Sequence, residues 1–223
     1  MKIHMSEYSI RDIQSQDIDE IASIHKASFS DRALTQLGIG AISRYYAWLL
    51  SGFPDTHPIC VVTDHDEIAG FCFAGHYSGS FSGFLRTHKK YLVLSLIKRP
   101  WKFFNPVVRE QVLLAIRTIK NMMKSQKTTL VKPPIPNVSQ HKPTIQSSWG
   151  ILSIAVNPVF QKQGVGRILM EAVENHASSI GYSRLHLSVH PENKTAVDFY
   201  KRLGWGEQTH VGTWQGLMEK RIK

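Results

Sequence analysis

The clearest hydrophobic pattern lies in the last third of the chain, where strand-like and helix-like spacings alternate. The run 151–156 is almost wholly apolar, which is typical of a buried strand. Apolar residues then recur every three or four positions over 164–179, which predicts an amphipathic helix that Gly181 ends. A strand over 184–189 and a helix after Asn193 repeat this order. The pattern predicts at least one parallel strand pair within a mixed sheet.

The first 76 residues predict a strand, two helices and a hairpin. Residues 7–12 alternate as a strand does, and Asp17 with Glu20 three positions on is a capping box of the Asp type. Further elements are predicted as a helix over 41–50, a hairpin of strands 58–63 and 68–76, and a terminal hairpin within 211–222. His25 falls on the apolar face of the first helix, and we expect it at the edge of the core rather than as a ligand.

The excess positive charge is confined to one segment, the basic insertion at residues 77–146. It contains 13 Lys or Arg and one acid, Glu110, whereas the whole chain has a net charge of +10. Helices are expected near 84–97 and 107–124, followed by a proline-rich loop. The insertion could cover a binding site and attract an anionic acceptor, or rest on an anionic membrane surface. Nucleic acid ranks lower because no recognised binding motif accompanies the charge.

Length and composition favour a single globular domain, 1–223, that contains this insertion. Cys60 and Cys72 lie in apolar runs and are expected to be reduced core thiols; no cysteine or histidine spacing indicates a metal. The N-terminus has no apolar signal region, and the longest uncharged apolar stretch, 91–97, is too short to span a bilayer. We therefore expect a cytoplasmic protein, peripheral to a membrane if the insertion binds one.

Gly164 and Gly166 stand where the strand pattern changes to the helix pattern. A helix N-terminus presents unpaired N–H groups and a partial positive charge, and glycines let an anion approach them. The stretch 161–167 is therefore interpreted as a phosphate cradle. It lacks the Lys-Ser/Thr pair of a Walker loop, and Leu169 stands where a dinucleotide-binding fingerprint needs its third glycine.

Two motifs in this region carry a family resemblance. Gln161-x-x-Gly164-x-Gly166 resembles the acetyl-CoA-binding signature of the GNAT N-acyltransferase superfamily. The stretch from Asn193 to Trp205 resembles that superfamily's NxxAxxxYxxxGF pattern, with Trp in place of the closing Phe. The resemblance covers residues 149–222 and implies an α/β fold with a mixed, mostly antiparallel central sheet flanked by helices. The basic insertion is much longer than the usual link at its place.

The resemblance also implies a reaction and a cofactor site. An amine would attack the thioester of acetyl-CoA directly in a ternary complex, without a metal or a covalent enzyme intermediate. The implied cofactor-binding residues lie on the strand, on the glycine loop and at the next helix start: Ile154, Ala155, Val156, Gln161, Gln163, Gly164, Val165, Gly166, Arg167 and Asn193. Simple N-capping is an alternative role for Asn193.

By the same resemblance, Tyr200 is the general acid that protonates the departing thiolate; the alternative is a core tyrosine at helical spacing. The base is less defined, since 150–156 contains no Asp or Glu. Ser153 could order a water, with His190 and Glu192 accepting the proton through it. The expected acceptor is a small-molecule amine, such as an amino sugar or a nucleotide-linked amino sugar. A non-catalytic module that binds coenzyme A, a membrane or a partner is the rival interpretation, and a homodimer is left open.

Overall fold

The helices and strands follow the order that the hydrophobic pattern predicts. The computed structural model describes residues 8–30, 32–51, 55–76, 80–88, 91–92, 149–210 and 213–222. The strands are β1 (Tyr8–Asp12), β2 (His57–Thr63), β3 (Ile68–His76), β4 (Trp149–Val156), β5 (Arg184–Ser188), β6 (Gly206–His210) and β7 (Thr213–Arg221). The helices are α1 (Ile18–Ser28), α2 (Ala33–Leu37), α3 (Ile39–Ser51), α4 (Ser80–Thr87), α5 (Val165–Ser179) and α6 (Lys194–Arg202).

The strands form one sheet in the order β1-β2-β3-β4-β5-β7-β6. Neighbouring strands run antiparallel except β4 and β5, which are parallel. The mixed, mostly antiparallel sheet with one parallel pair is therefore confirmed. Because a parallel pair needs a crossover, α5 carries the chain from the end of β4 back to the start of β5.

Helices cover both faces of the sheet, and β3 divides its side chains between them. Phe71 and Phe73 pack in a cluster with α1 and α3, whereas Cys72 and Ala74 pack in a second cluster with α5 and α6. Successive side chains of a strand point to opposite faces, so a fully buried strand must be apolar throughout. Cys72 belongs to this core, and Cys60 is also buried; both are free thiols, as expected.

β4 departs from this alternation at one place. Phe73 of β3 pairs with Ser153 and Ala74 pairs with Ile151, so Leu152 is an extra residue, a β-bulge. As a result Leu152 and Ser153 both face the α1 and α3 side of the sheet. Ile154 returns to the opposite face.

Several expectations about the helices are revised. Asp17 precedes α1 as expected, but its carboxylate accepts hydrogen bonds from Arg11 and from the backbone N–H of Gln14, not from α1 amides. The short helix α2 was not predicted. Within the basic insertion, α4 begins and ends earlier than the helix expected at 84–97, and the helix expected at 107–124 lies outside the described residues. Among the helices of the described ranges, none is long and apolar enough to cross a membrane.

Candidate active site

The site begins where the parallel strands β4 and β5 separate. They pair only at Trp149 with Leu185 and at Gly150 with His186. Beyond Gly150 the two strands diverge, and the edge of β4 that faces β5 is left without a strand partner. This separation opens a cleft between the strands.

The backbone of β4 presents alternate amides to this open edge. The N–H of Asn157 donates to the carbonyl of Ala69 at β3 (2.9 Å), so the backbone groups of Val156 and Ile154, one and three residues earlier, face the open side. Ile154 and Val156 are both among the cofactor-binding positions that the resemblance implies. Ala155 differs, because its backbone faces β3 and its side chain is buried in the core. The structure therefore does not place Ala155 to bind the cofactor.

The cleft has a volume of about 460 Å³ and is lined by residues of α1, α3, β4, β5, α6 and β7 and of the connections between them. Five of its lining residues were predicted from the sequence: Ser153, Ile154, His190, Asn193 and Tyr200. Others were not assigned to a site, among them His25, Phe29, Arg32, Tyr45 and Gln215. They come from distant parts of the chain, so no local motif could have gathered them.

The side chains of the glycine loop hold the loop in place. Gln161 donates its amide to the carbonyl of Val156 (3.4 Å). Gln163 accepts a hydrogen bond from the Tyr8 hydroxyl (2.6 Å) and donates to the carbonyl of Val159 (3.1 Å). Both side chains are therefore engaged with the protein, and what the loop offers to a ligand is its backbone.

Glycine is required at the two positions of the motif for different physical reasons. Gly164 has φ +90°, a left-handed conformation that disfavours any other residue, and a Cβ there would meet no atom within 4 Å. Gly166 packs against α6, where its Cβ would lie 3.2 Å from the ring of Phe199. Packing against α6 is therefore a second reason for Gly166, and its expected role in the close approach of an anion stays a prediction.

The start of α5 nevertheless keeps the properties of an anion site. Within the described part of the chain, no acceptor takes the N–H groups of Gly164, Val165 or Gly166. Lys162 and Arg167 flank them and are exposed; Arg167 lies 3.9 Å from Glu171 one turn along the helix. Unpaired amides, the helix dipole and two cations together favour a diphosphate.

Tyr200 and Asn193 reach the cleft from α6. Tyr200 is only 8% exposed, and burial raises the pKa of its phenol well above the usual value. The hydroxyl is therefore protonated at neutral pH and can donate a proton, although no hydrogen bond joins it to another described residue. Asn193 accepts the N–H of Ala196 (3.2 Å), so its role as the N-cap of α6 is confirmed, and it also lines the cleft.

Among the described residues, Ser153 has no hydrogen bond to His190 or Glu192, the other two residues expected in the base relay. Ser153 lies 2.8 Å from the Tyr46 hydroxyl, which in turn lies 2.6 Å from Nδ1 of His25. His190 and Glu192 are exposed at the end of β5, where the Glu192 N–H donates to Nδ1 of His190 (3.4 Å). His190 lines the cleft, whereas Glu192 is not among the described residues that do.

Comparison with known proteins agrees with this arrangement. Residues 140–205 match the acetyltransferase (GNAT) family. The ribosomal protein bS18-alanine N-acetyltransferase of Escherichia coli is 37% identical over 59 residues, 26% of this chain and 40% of that protein. The thialysine N-epsilon-acetyltransferase of Sus scrofa is 33% identical over 78 residues, 33% of this chain and 46% of that protein. The matches thus span less than half the length of these curated relatives.

The fold is also shared with solved structures. The PaiA N-acetyltransferase of Thermoplasma acidophilum, solved in complex with coenzyme A, superimposes with a TM-score of 0.52 at 13% identity. The superposition covers 96% of this chain and 99% of that one. At this level of identity the likeness establishes the fold.

Proposed function

Because residues 140–205 match the acetyltransferase (GNAT) family, we propose that the protein is an N-acetyltransferase that moves the acetyl group of acetyl-CoA onto a primary amine. The observation that carries the proposal is the cleft between β4 and β5, with the protonated phenol of Tyr200 in its wall and unpaired amides at the start of α5. Such a site can hold an extended thioester and supply a proton to its leaving group.

In this proposal, backbone groups bind the cofactor. The amides of Gly164, Val165 and Gly166 would bind the diphosphate of acetyl-CoA, with Lys162 and Arg167 beside it. The open edge at Ile154 and Val156 would pair with the pantetheine amides, as an added strand does. Asn193 lines the cleft beside this path.

The reaction follows from this placement. The amine nitrogen attacks the thioester carbonyl, a C–N bond forms, and the C–S bond breaks. Tyr200 donates its proton to the departing thiolate, and the proton that the nitrogen loses as the amide forms returns to the Tyr200 phenolate through water in the cleft. Burial raises the pKa of the Tyr200 phenol, and a thiolate formed in the same cleft is also desolvated, so the pKa of its thiol is raised in the same direction.

The acceptor that the charges favour is a small amine that also carries an anionic group. Arg32 is the one formally charged side chain among the described residues that line the cleft. An acceptor with a phosphate or carboxylate, such as a nucleotide-linked amino sugar, would pair with it. Relatives that act on a ribosomal protein alanine and on thialysine make a peptide N-terminus and a free amino acid the alternatives.

The experiment measures thiol release from acetyl-CoA with a panel of amino sugars, nucleotide-linked amino sugars, amino acids and peptides. We expect turnover with at least one class and a loss of about 10²-fold in Tyr200→Phe. Tyr182→Phe is the matched control, since Tyr182 stacks on Trp149 (centroids 5.8 Å apart), away from the cleft. Coenzyme A binding without turnover on any amine would favour the non-catalytic module, as would full activity in Tyr200→Phe.

The location and the role of the basic insertion extend the proposal. We propose a cytoplasmic enzyme whose residues 77–146 attract an anionic acceptor or an anionic membrane surface, on the ground of their charge alone. Sedimentation with anionic liposomes, compared with neutral ones, separates these two roles. Failure to sediment with either removes the membrane role.

A further inference from the structure

A chain of hydrogen-bonding groups links the cleft to the interior between α1, α3 and β4. The Ser153 and Tyr46 hydroxyl oxygens are 2.8 Å apart, and the Tyr46 oxygen is 2.6 Å from Nδ1 of His25. Ser153 and His25 both line the cleft, whereas Tyr46 is fully buried between them. The chain therefore begins and ends at the same cavity.

The His25 end of this series of hydrogen bonds contains a buried atom without a partner in the described part of the chain. His25 is 7% exposed, and its Nε2 is buried without a hydrogen-bond partner among the described residues. A buried polar atom without a partner is costly, and His25 lines the cleft, so we expect a water or ligand in the cleft to pair with Nε2. Burial also lowers the pKa of His25 to about 4, which keeps the imidazole neutral at pH 7.

The β-bulge in β4 determines where the Ser153 end of this series of hydrogen bonds lies. Because Leu152 is the extra residue of β4, Ser153 faces α3 and meets Tyr46 instead of facing α5. Bulges often redirect a side chain beside an active site. The Ser153 side chain is half-buried, so its oxygen is within reach of a bound acceptor.

We propose that Ser153, Tyr46 and His25 form a proton relay that deprotonates the ammonium group of the acceptor before it attacks. The relay rests on the proposed acetyl transfer, because an ammonium nitrogen has no lone pair with which to attack a thioester. The relay supplies a route for this proton although strand residues 150–156 contain no Asp or Glu that could act as the base.

For each proton that enters the relay, one proton leaves it. The ammonium proton passes to Oγ of Ser153, the Ser153 proton to the Tyr46 oxygen, and the Tyr46 proton to Nδ1 of His25. The proton on Nε2 leaves to water in the cleft, so the imidazole is neutral before and after the step. When the product has left, water protonates Nε2 and takes the Ser153 proton, which restores the first tautomer.

Other ionisable groups surround this chain without belonging to it. Arg32 and His190 are exposed at the cleft, and Tyr200 lines it from α6. Tyr45 packs edge-on against Tyr46, with ring centroids 5.4 Å apart. The test compares acceptors of different basicity at one pH, so the protonation state of these groups is the same in both arms.

The experiment uses an acceptor found in the amine panel together with a fluorinated analogue. The acceptor's ammonium pKa lies above the assay pH, and that of the analogue lies below it. Tyr46→Phe keeps the ring in the core but breaks the chain, and we expect kcat to fall about 10²-fold with the basic acceptor. With the analogue, which is already neutral, the variant should match the wild type within about threefold, corresponding to about 0.65 kcal/mol.

Ser153→Ala is the second variant, because it removes the entry of the relay from a half-buried position and leaves the core intact. Ser188→Ala is the control, because Ser188 lines the same cleft from β5 but is not part of the Ser153–Tyr46–His25 relay. Any effect of Ser188→Ala on kcat should be the same for both acceptors. Equal losses with both acceptors, or no loss, would overturn the relay. A wild type that acetylates no amine would instead overturn the proposed function.

Discussion

Gly150 lies against the backbone of His186 at the last position where β4 and β5 pair. A Cβ at position 150 would collide with the carbonyl oxygen of His186. We expect Gly150→Ala to lower the free energy of unfolding by about 1–3 kcal/mol, because the obstacle is the backbone of His186, which cannot rotate away as a side chain can. Urea unfolding measures this, and acetyl transfer should fall with it, since this contact fixes where the cleft begins.

Gly206→Ala provides the comparison. Its Cβ would come no closer than 3.9 Å to the Glu219 carbonyl, an ordinary contact. We expect a change within about 0.5 kcal/mol. Similar losses at both glycines would mean that the close contact at Gly150 has no special importance.

The second prediction separates backbone strain from cofactor binding on one helix. Gly164 before α5 and Gly181 after it have φ +90° and +88°, and a Cβ at either would meet open space. Each glycine-to-alanine change should therefore lower stability by about 1–2 kcal/mol through left-handed strain alone. Only Gly164→Ala should also raise the Kd for coenzyme A, by about 3- to 10-fold, because only it displaces the amides at the helix start. Calorimetric titration of both variants checks this; equal affinities would remove the anion role of Gly164.

The third prediction concerns the acid stability of the N-terminal region. Burial disfavours the charged form of Asp17, but hydrogen bonds from Arg11 and from the Gln14 N–H outweigh it and lower the pKa. A depressed folded pKa contributes stability above the unfolded value of about 4, and this is lost as pH falls through the folded pKa. Asp17→Asn should thus cost about 2 kcal/mol at pH 7 and less below pH 4.

Asp66→Asn tests whether the burial of Asp17 explains the stability that its ion pair with Arg11 contributes. Asp66 also contacts Arg11 (3.2 Å), but its side chain is 73% exposed. We expect its replacement to cost less than about 0.5 kcal/mol at either pH. An equal cost for the two aspartates in urea unfolding would contradict this account.

The fourth prediction uses the buried histidine. Burial lowers the pKa of His25 to about 4, whereas the unfolded value is about 6.5. Between these values the unfolded chain binds the proton and the folded chain does not, so stability falls as pH decreases through this window. From pH 7 to pH 5 the wild type should lose about 2 kcal/mol more than His25→Asn does. His65→Asn, in the exposed turn between β2 and β3, should keep the full pH dependence of the wild type.

Local pattern was sufficient for most of the elements. The apolar spacing and the glycines at its ends predicted α5, β5 and α6, because periodicity and capping depend on neighbouring residues. The segment 93–148 lies outside the described residues, so its expected helix stays a prediction. The role of Asp17 was misjudged because its partner Arg11 lies on a separate strand.

For the candidate site, the sequence determined the residues whose position follows from the chain direction: the glycine loop, Asn193 as an N-cap and Tyr200 on the buried face of α6. Only the tertiary structure decided how the strands part beyond Gly150, and that Ser153 meets Tyr46 and His25. The reason is physical: one inserted residue, Leu152, reverses the face to which Ser153 points. A bulge is defined by the pairing of two strands, and neither strand carries that pairing by itself.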